Sequence, residues 1–255
     1  MGGVNLPRGF ESLPLRLVDL IALIAGAVAA GTVAGASGFG AALVLQPLLL
    51  AVCSPATALI ALTVSSLGVN TAVVRAGRLR RDLLRPLILS APVGAVAGVV
   101  IFTQLPKHSL QVLLGCAVIA GGLAVAARGR AEALIGRAPL PVWGLISGAL
   151  TTSVGANGPP VVLGLAGRDL EPQEQRGTLG AYFLFATPLT FATILAAHAS
   201  PLPGLELGLA LAPATVAGVL AGGRLAKRFR RERFRALTVG LVLAAGLASL
   251  AAGLA

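Results

Sequence analysis

Two stretches of this chain place glycine and uncharged polar residues inside otherwise apolar sequence. The first is Ser37-Gly38-Phe39-Gly40-Ala41-Ala42-Leu43-Val44-Leu45-Gln46-Pro47, and the second is Ser153-Val154-Gly155-Ala156-Asn157-Gly158-Pro159-Pro160-Val161-Val162-Leu163. Gly38, Gly40, Gly155 and Gly158 can break a helix and let backbone approach a bound group closely. Asn157-Gly158-Pro159-Pro160 reads as a helix start, with Asn157 as the cap and prolines in the first turn, where a missing N–H costs least. A helix start presents unpaired N–H groups and a partial positive charge, so it suits an anion. The candidate ligand-binding residues are therefore Ser37, Gly38, Gly40, Gln46, Asn70, Thr152, Ser153, Gly155, Asn157, Gly158 and Pro159. Ser65, Ser66 and Thr151 are further polar residues at depth.

Catalytic chemistry is not indicated. The apolar runs contain no Lys or Arg, and the nearest acids, Asp19 and Glu206, stand at segment starts. A membrane-embedded enzyme would need an acid pair, a metal-binding helix or a nucleophile–base pair at depth. No catalytic residue, metal ligand or cofactor is assigned. His108 and His198 read as interfacial, and Cys53 and Cys116 as buried packing residues with neither disulfide nor zinc spacing. Arg75 and Arg176, at the ends of long apolar segments, are candidates for an electropositive vestibule that gathers anions.

The segments that must position these residues are set by composition. The chain of 255 residues is 56% hydrophobic and 11% charged, where a soluble domain would be about a quarter charged. It reads as an all-α integral membrane protein. Apolar runs fall at 20–36, 39–52, 56–74, 86–104, 109–127, 140–153, 156–167, 177–198, 205–223 and 236–254. Six are long enough to span a hydrocarbon core of about 30 Å. The other four form two short adjacent pairs, each split by a glycine-rich break. Residues 1–19 read as a polar tail, 20–127 as a first membrane repeat, 128–139 as a cytoplasmic linker and 140–255 as a second repeat.

The breaks lie about 117 residues apart, and Ala91-Pro92 with Val96-Ala97-Gly98 returns as Ala212-Pro213 with Val216-Ala217-Gly218. Each half thus holds a broken short-helix pair and three long helices. If each pair crosses twice, or enters and returns as a hairpin, loops 75–85, 128–137, 168–176 and 224–235 share one side and carry 17 of the 20 basic residues. By the positive-inside rule that side is cytoplasmic and both termini face out. Five segments per half invert the second repeat relative to the first, an arrangement in which a site sits at the midplane and one repeat rocks against the other. Trp143 and Tyr182 are expected at the cytoplasmic interface. The net charge of +11 reads as topology signal and lipid contact, not as a nucleic-acid surface.

Gly38 to Pro47 resembles the first-repeat motif of the sulfite exporter TauE/SafE family, also described as toluene-sulfonate uptake permeases. Gly155 to Leu163 resembles its second-repeat motif, and Arg176-Gly177-Thr178-Leu179-Gly180-Ala181-Tyr182-Phe183 is similar to the stretch that follows it. Ala41, Ala42 and Asn157 depart from family glycines. The resemblance implies a multi-pass permease of the bacterial inner membrane, with two internal repeats, exporting sulfite, an organosulfonate or a related small anion. The partners expected are a small anionic solute and the lipid bilayer, with a homo-oligomer compatible. The alternatives are uptake of another organic anion or a metal, and a membrane-embedded enzyme or assembly factor.

Overall fold

The computed structural model describes residues 16–126, 138–166, 168, 170–228 and 231–254. These form ten helices and, among the described residues, no strand: α1 Leu17–Ser37, α2 Ala41–Val52, α3 Pro55–Ala76, α4 Arg81–Gln104, α5 Lys107–Ala126, α6 Leu140–Val154, α7 Gly158–Leu165, α8 Pro172–Ala196, α9 Leu202–Arg228 and α10 Arg231–Leu254. Residues 128–137 of the linker and most of the N-terminal tail lie outside the described residues. Among the described residues five helices are long and apolar enough to cross a membrane: Leu17–Ser37, Pro55–Arg75, Arg81–Gln104, Gln173–Ala196 and Leu202–Leu225. The chain is a multi-pass membrane protein.

Helix lengths correct the short-pair expectation in one respect. α1 has 21 residues, about 31 Å at 1.5 Å per residue, and so is long enough to span. α2, α6 and α7 have 12, 15 and 8 residues and fall short of the hydrocarbon core. Both pairs nevertheless fold back on themselves. The Arg168 guanidinium, just after α7, donates to Ala138 O at the foot of α6 at 3.3 Å, so this pair returns to the end from which it started. Sequence 224–228, read as loop, continues α9.

Helix starts recur at the spacing of the two breaks. The offset of 117 residues carries Pro55 to Pro172, each at the first position of its helix. Ser54 Oγ accepts from Thr57 N–H at 3.2 Å, and the Glu174 carboxylate accepts from Glu171 N–H at 3.1 Å. Both devices satisfy N–H groups that a helix start leaves unpaired.

The two sequence halves do not form separate bodies. α1 packs on α9 through Gly31, Gly35, Gly218 and Gly222, and α4 packs on α6 through Gly94, Gly98, Gly144 and Gly148. A methyl group at Gly31 would overlap Thr215 O, and one at Gly148 would overlap Ala91 O. Such backbone-to-backbone approach is how helices associate where lipid removes the hydrophobic drive. α3 also packs on α9, α4 on α8, and α5 on α10. Each of these contacts joins a helix of the first half to one of the second. α3 and α8 meet as well: Gly180 approaches Asn70 and Val74, while Gly77 approaches Gly177, so these two helices run antiparallel.

Outward faces are apolar, as lipid contact requires: Leu89, Val93, Val96 and Val100 form an exposed stripe on α4. Two apolar clusters fill the interior, one built mainly on α1, α2 and α3, the other on α4, α6, α7 and α8; Phe39 packs against both. Tyr182, expected at an interface, is fully buried in the second cluster, with its ring edge-on to Phe183 at 6.2 Å between centroids. Trp143 lies half-buried against Gly164. Cys53 is buried as expected, but Cys116 faces outward from α5.

Candidate functional site

The first break is two tight turns in succession. Gly38 ends α1 with φ +85° and returns its N–H to Ala34 O at 2.7 Å; Gly40 follows with φ +96° and opens α2. Both angles lie where a side chain costs roughly 1–2 kcal/mol. Leu43 N–H bonds back to Gly40 O at 3.1 Å, and no side chain caps the N–H groups before it. The second break has one such turn. Gly155 ends α6 with φ +74°, and α7 starts at Gly158. Here the reading of Asn157 as a cap is corrected. Asn157 has helical backbone angles and its side chain makes no cap bond; its carbonyl accepts from Ser147 Oγ at 2.9 Å. With Pro159 and Pro160 next, the first turn of α7 is poor in N–H donors.

Both breaks line one cavity of about 60 Å³, together with α3 and α8. That space holds about four to six waters at ~10–15 Å³ each, which is the scale of a small solute. Its lining repeats at the same offset: Ala34 and Thr151, Gly38 and Gly155, Gly40 and Asn157, Ala41 and Gly158, Ser66 and Phe183, Val69 and Ala186, Asn70 and Thr187 are pairs 117 residues apart, and every member lines the cavity. Among the described residues no charged one lines it.

The polar lining divides by hydrogen bonding. Thr63, Thr151 and Thr190 donate to Leu59 O, Ser147 O and Ala186 O in their own helices. Ser66, Asn70, Asn157 and Thr187 have side chains with no hydrogen bond to protein among the described residues, and all four are half-buried. They are the side chains able to bond a ligand without first giving up a protein partner.

Of the residues singled out from sequence, Gly38, Gly40, Ser66, Asn70, Thr151, Gly155, Asn157 and Gly158 line the cavity. The others lie behind it. Ser37 Oγ sits 2.7 Å from both Val33 O and Phe39 O and ties the first turn together. Thr152 Oγ1 donates to Ala95 O at 2.9 Å, joining α6 to α4. Ser153 donates to Ala149 O at 2.6 Å. Pro159 packs against Gly121 of α5. Gln46 is 1% exposed, with Oε1 lacking a partner among the described residues, and its amide carbon lies where a methyl on Gly155 would touch it at 3.4 Å. Sequence reasoning passed over Thr187, Thr63 and Thr190. The repeat offset, carried past the glycine breaks, takes Asn70 to Thr187 and was the available signal.

Two cations bound this region at one end. Arg75 is exposed in the last turn of α3, a position where a cation meets the negative helix end. Arg176, near the start of α8, lays its stem over Gly38 and donates from Nη2 to Ala36 O. At the same end loop 77–80 is pinned to α8: Arg78 N–H bonds Gln173 O at 3.0 Å and Arg80 N–H bonds Thr178 Oγ1 at 3.2 Å. Ion pairs join Arg78 to Glu171 at 3.7 Å and Arg80 to Glu174 at 3.6 Å. Arg80 also donates to the Asp82 carboxylate, from Nε at 3.0 Å and from Nη2 at 2.8 Å. These pairs are exposed and individually weak, but they place loops 75–85 and 168–176 at one end of the molecule.

Compared with known proteins, residues 23–249 match the model of the family described as Sulfite exporter TauE/SafE. No curated protein and no solved structure matches the chain.

Proposed function

The chain belongs to the sulfite exporter TauE/SafE family, and from that premise we propose that it is a permease exporting a small sulfur-containing anion, such as sulfite or an organosulfonate, through the cavity between the two breaks. The observation that carries this reading is the shared cavity itself: two glycine breaks, distant in sequence, enclose one uncharged polar space. Uncapped N–H groups at the start of α2 would supply positive potential, and the free side chains of Asn70, Asn157, Thr187 and Ser66 would supply oriented dipoles. An anion can be held this way with no full charge at depth. Arg75 and Arg176 form its vestibule.

The halves are read as inverted repeats. The antiparallel course of α3 and α8, which begin at equivalent prolines, supports this. The interlocked pairs α1–α9 and α4–α6 revise how the site would alternate its access. Separating the sequence halves would tear these glycine contacts, so access would alternate by a movement that keeps α1 on α9 and α4 on α6. In this reading the chain lies in the bacterial inner membrane with its basic loops cytoplasmic and both termini outside. An anion leaving an inside-negative cell gains about 2.3 kcal/mol per charge per 100 mV, so export needs no buried coupling carboxylate.

The test is a solute panel on reconstituted protein: sulfite, thiosulfate, sulfoacetate, sulfate and chloride, with and without an imposed potential. Sulfite or an organosulfonate should move faster with the potential directed outward. Flux of none of these anions would overturn the reading, and flux driven only by a proton gradient inward would replace export with uptake.

A further inference from the structure

Gly38 and Gly155 occupy equivalent turns, and the side chains covering them from outside the cavity are also equivalent in sequence. Leu59 lies against Gly155, and Arg176, 117 residues after Leu59, lies against Gly38. We propose that Arg176 sets the charge selectivity of the cavity's mouth, admitting small anions from the end bearing loops 75–85 and 168–176, while the Leu59 end carries no such discrimination. The inference rests on the reading of the cavity as an anion site and assigns a residue and an entrance to it.

Five observations support it. Gly38 lines the cavity on one side and touches the Arg176 stem on the other. Arg176 precedes Phe183, also in the lining, by two turns of α8, so it stands between the cavity and that end of the molecule. Its guanidinium bonds only a carbonyl, Ala36 O, and among the described residues no carboxylate lies within 4 Å, whereas nearby Arg78 and Arg80 are paired with Glu171, Asp82 and Glu174. Arg176 is also exposed, so it can swing from Ala36 O to an arriving anion with little else to break. At the other break Leu59 is 1% exposed and Leu62 also meets Gly155, so that entrance is closed by apolar packing.

The test uses full-length protein with Cys53→Ser and Cys116→Ser and a reporter thiol from Thr187→Cys in the cavity wall. Labelling rates are measured with two thiosulfonate reagents of similar size, one bearing a sulfonate and the other a trimethylammonium group, each corrected for its rate with a free thiol. The anionic reagent should be favoured, and Arg176→Gln should lower the anion-to-cation ratio about tenfold, the low end of electrostatic steering by a charged cleft. Arg176→Lys should restore most of the ratio. Raising salt to about 0.5 M should erode the preference with Arg176 intact, a measurement that needs no variant at this position. A ratio unmoved by Arg176→Gln and by salt, an equal rise in both rates, or no labelling in any background would each overturn the proposal. A collapsed ratio in the Arg176→Gln background, together with unsubstituted protein that moves no sulfite, would leave this inference standing and remove the transport reading instead.

Discussion

The two breaks share a backbone plan and differ in what they present to the cavity. The first has two left-handed glycines and an uncapped helix start, and an arginine covers it. The second has one left-handed glycine, a first turn depleted of donors by Pro159 and Pro160, the free amide of Asn157, and a leucine cover. The first break is thus backbone-based with a cation beside it, and the second is side-chain-based and neutral. In the proposed reading the common geometry would make the cavity, and the difference would give it a direction and a means of choosing its ligand.

Erasing that difference should produce the largest effect. Leu59→Arg would place an unpaired charge at a position 1% exposed, and the several kcal/mol this costs should abolish recovery of monodisperse protein. Folding with full stability would mean that the second entrance is as open as the first. Next in size are the two glycines. Gly38→Ala and Gly155→Ala should each lose about 1–2 kcal/mol from left-handed backbone alone, read as a lower melting temperature in detergent. Only Gly38→Ala should also change anion-over-cation labelling, because only its new methyl displaces Arg176.

A smaller change is expected from Asn157→Gly, which makes the second break more like the first. Flux should persist, while the preference among the solutes of the panel shifts by about three- to tenfold, the worth of one modest hydrogen bond. Identical preferences would remove Asn157 from ligand recognition. The smallest effect belongs to Gln46→Met. Replacing a buried amide whose oxygen has no partner with an apolar group of similar size should leave stability within about 1 kcal/mol and flux unchanged. A large loss of flux would return Gln46 to the site.

Much of this arrangement is legible in the sequence. Helix content, the positions of the breaks and the existence of short paired segments follow from apolar periodicity and glycine placement, because lipid forces each backbone polar group into a helix. Which residues face the cavity is less legible. Ser37, Thr152 and Ser153 have the right chemistry, but their hydroxyls are taken by carbonyls within a helical turn or across to α4, and only the local direction of each side chain decides that. Thr187 has no motif around it and is recognisable only as the repeat partner of Asn70. The pairing of α1 with α9 and α4 with α6 depends on glycines spaced four apart on separate helices, a signal that says where helices touch without saying which.

The most direct test of a single anion site formed by both breaks is equilibrium binding of sulfite to purified protein and to two cavity-filling variants, one in each break: Ala41→Leu and Asn157→Leu. Each side chain would project into the same 60 Å³, so either substitution alone should abolish binding while the protein stays monodisperse. Sulfite binding that survives either substitution with unchanged affinity would show that the breaks do not share one site.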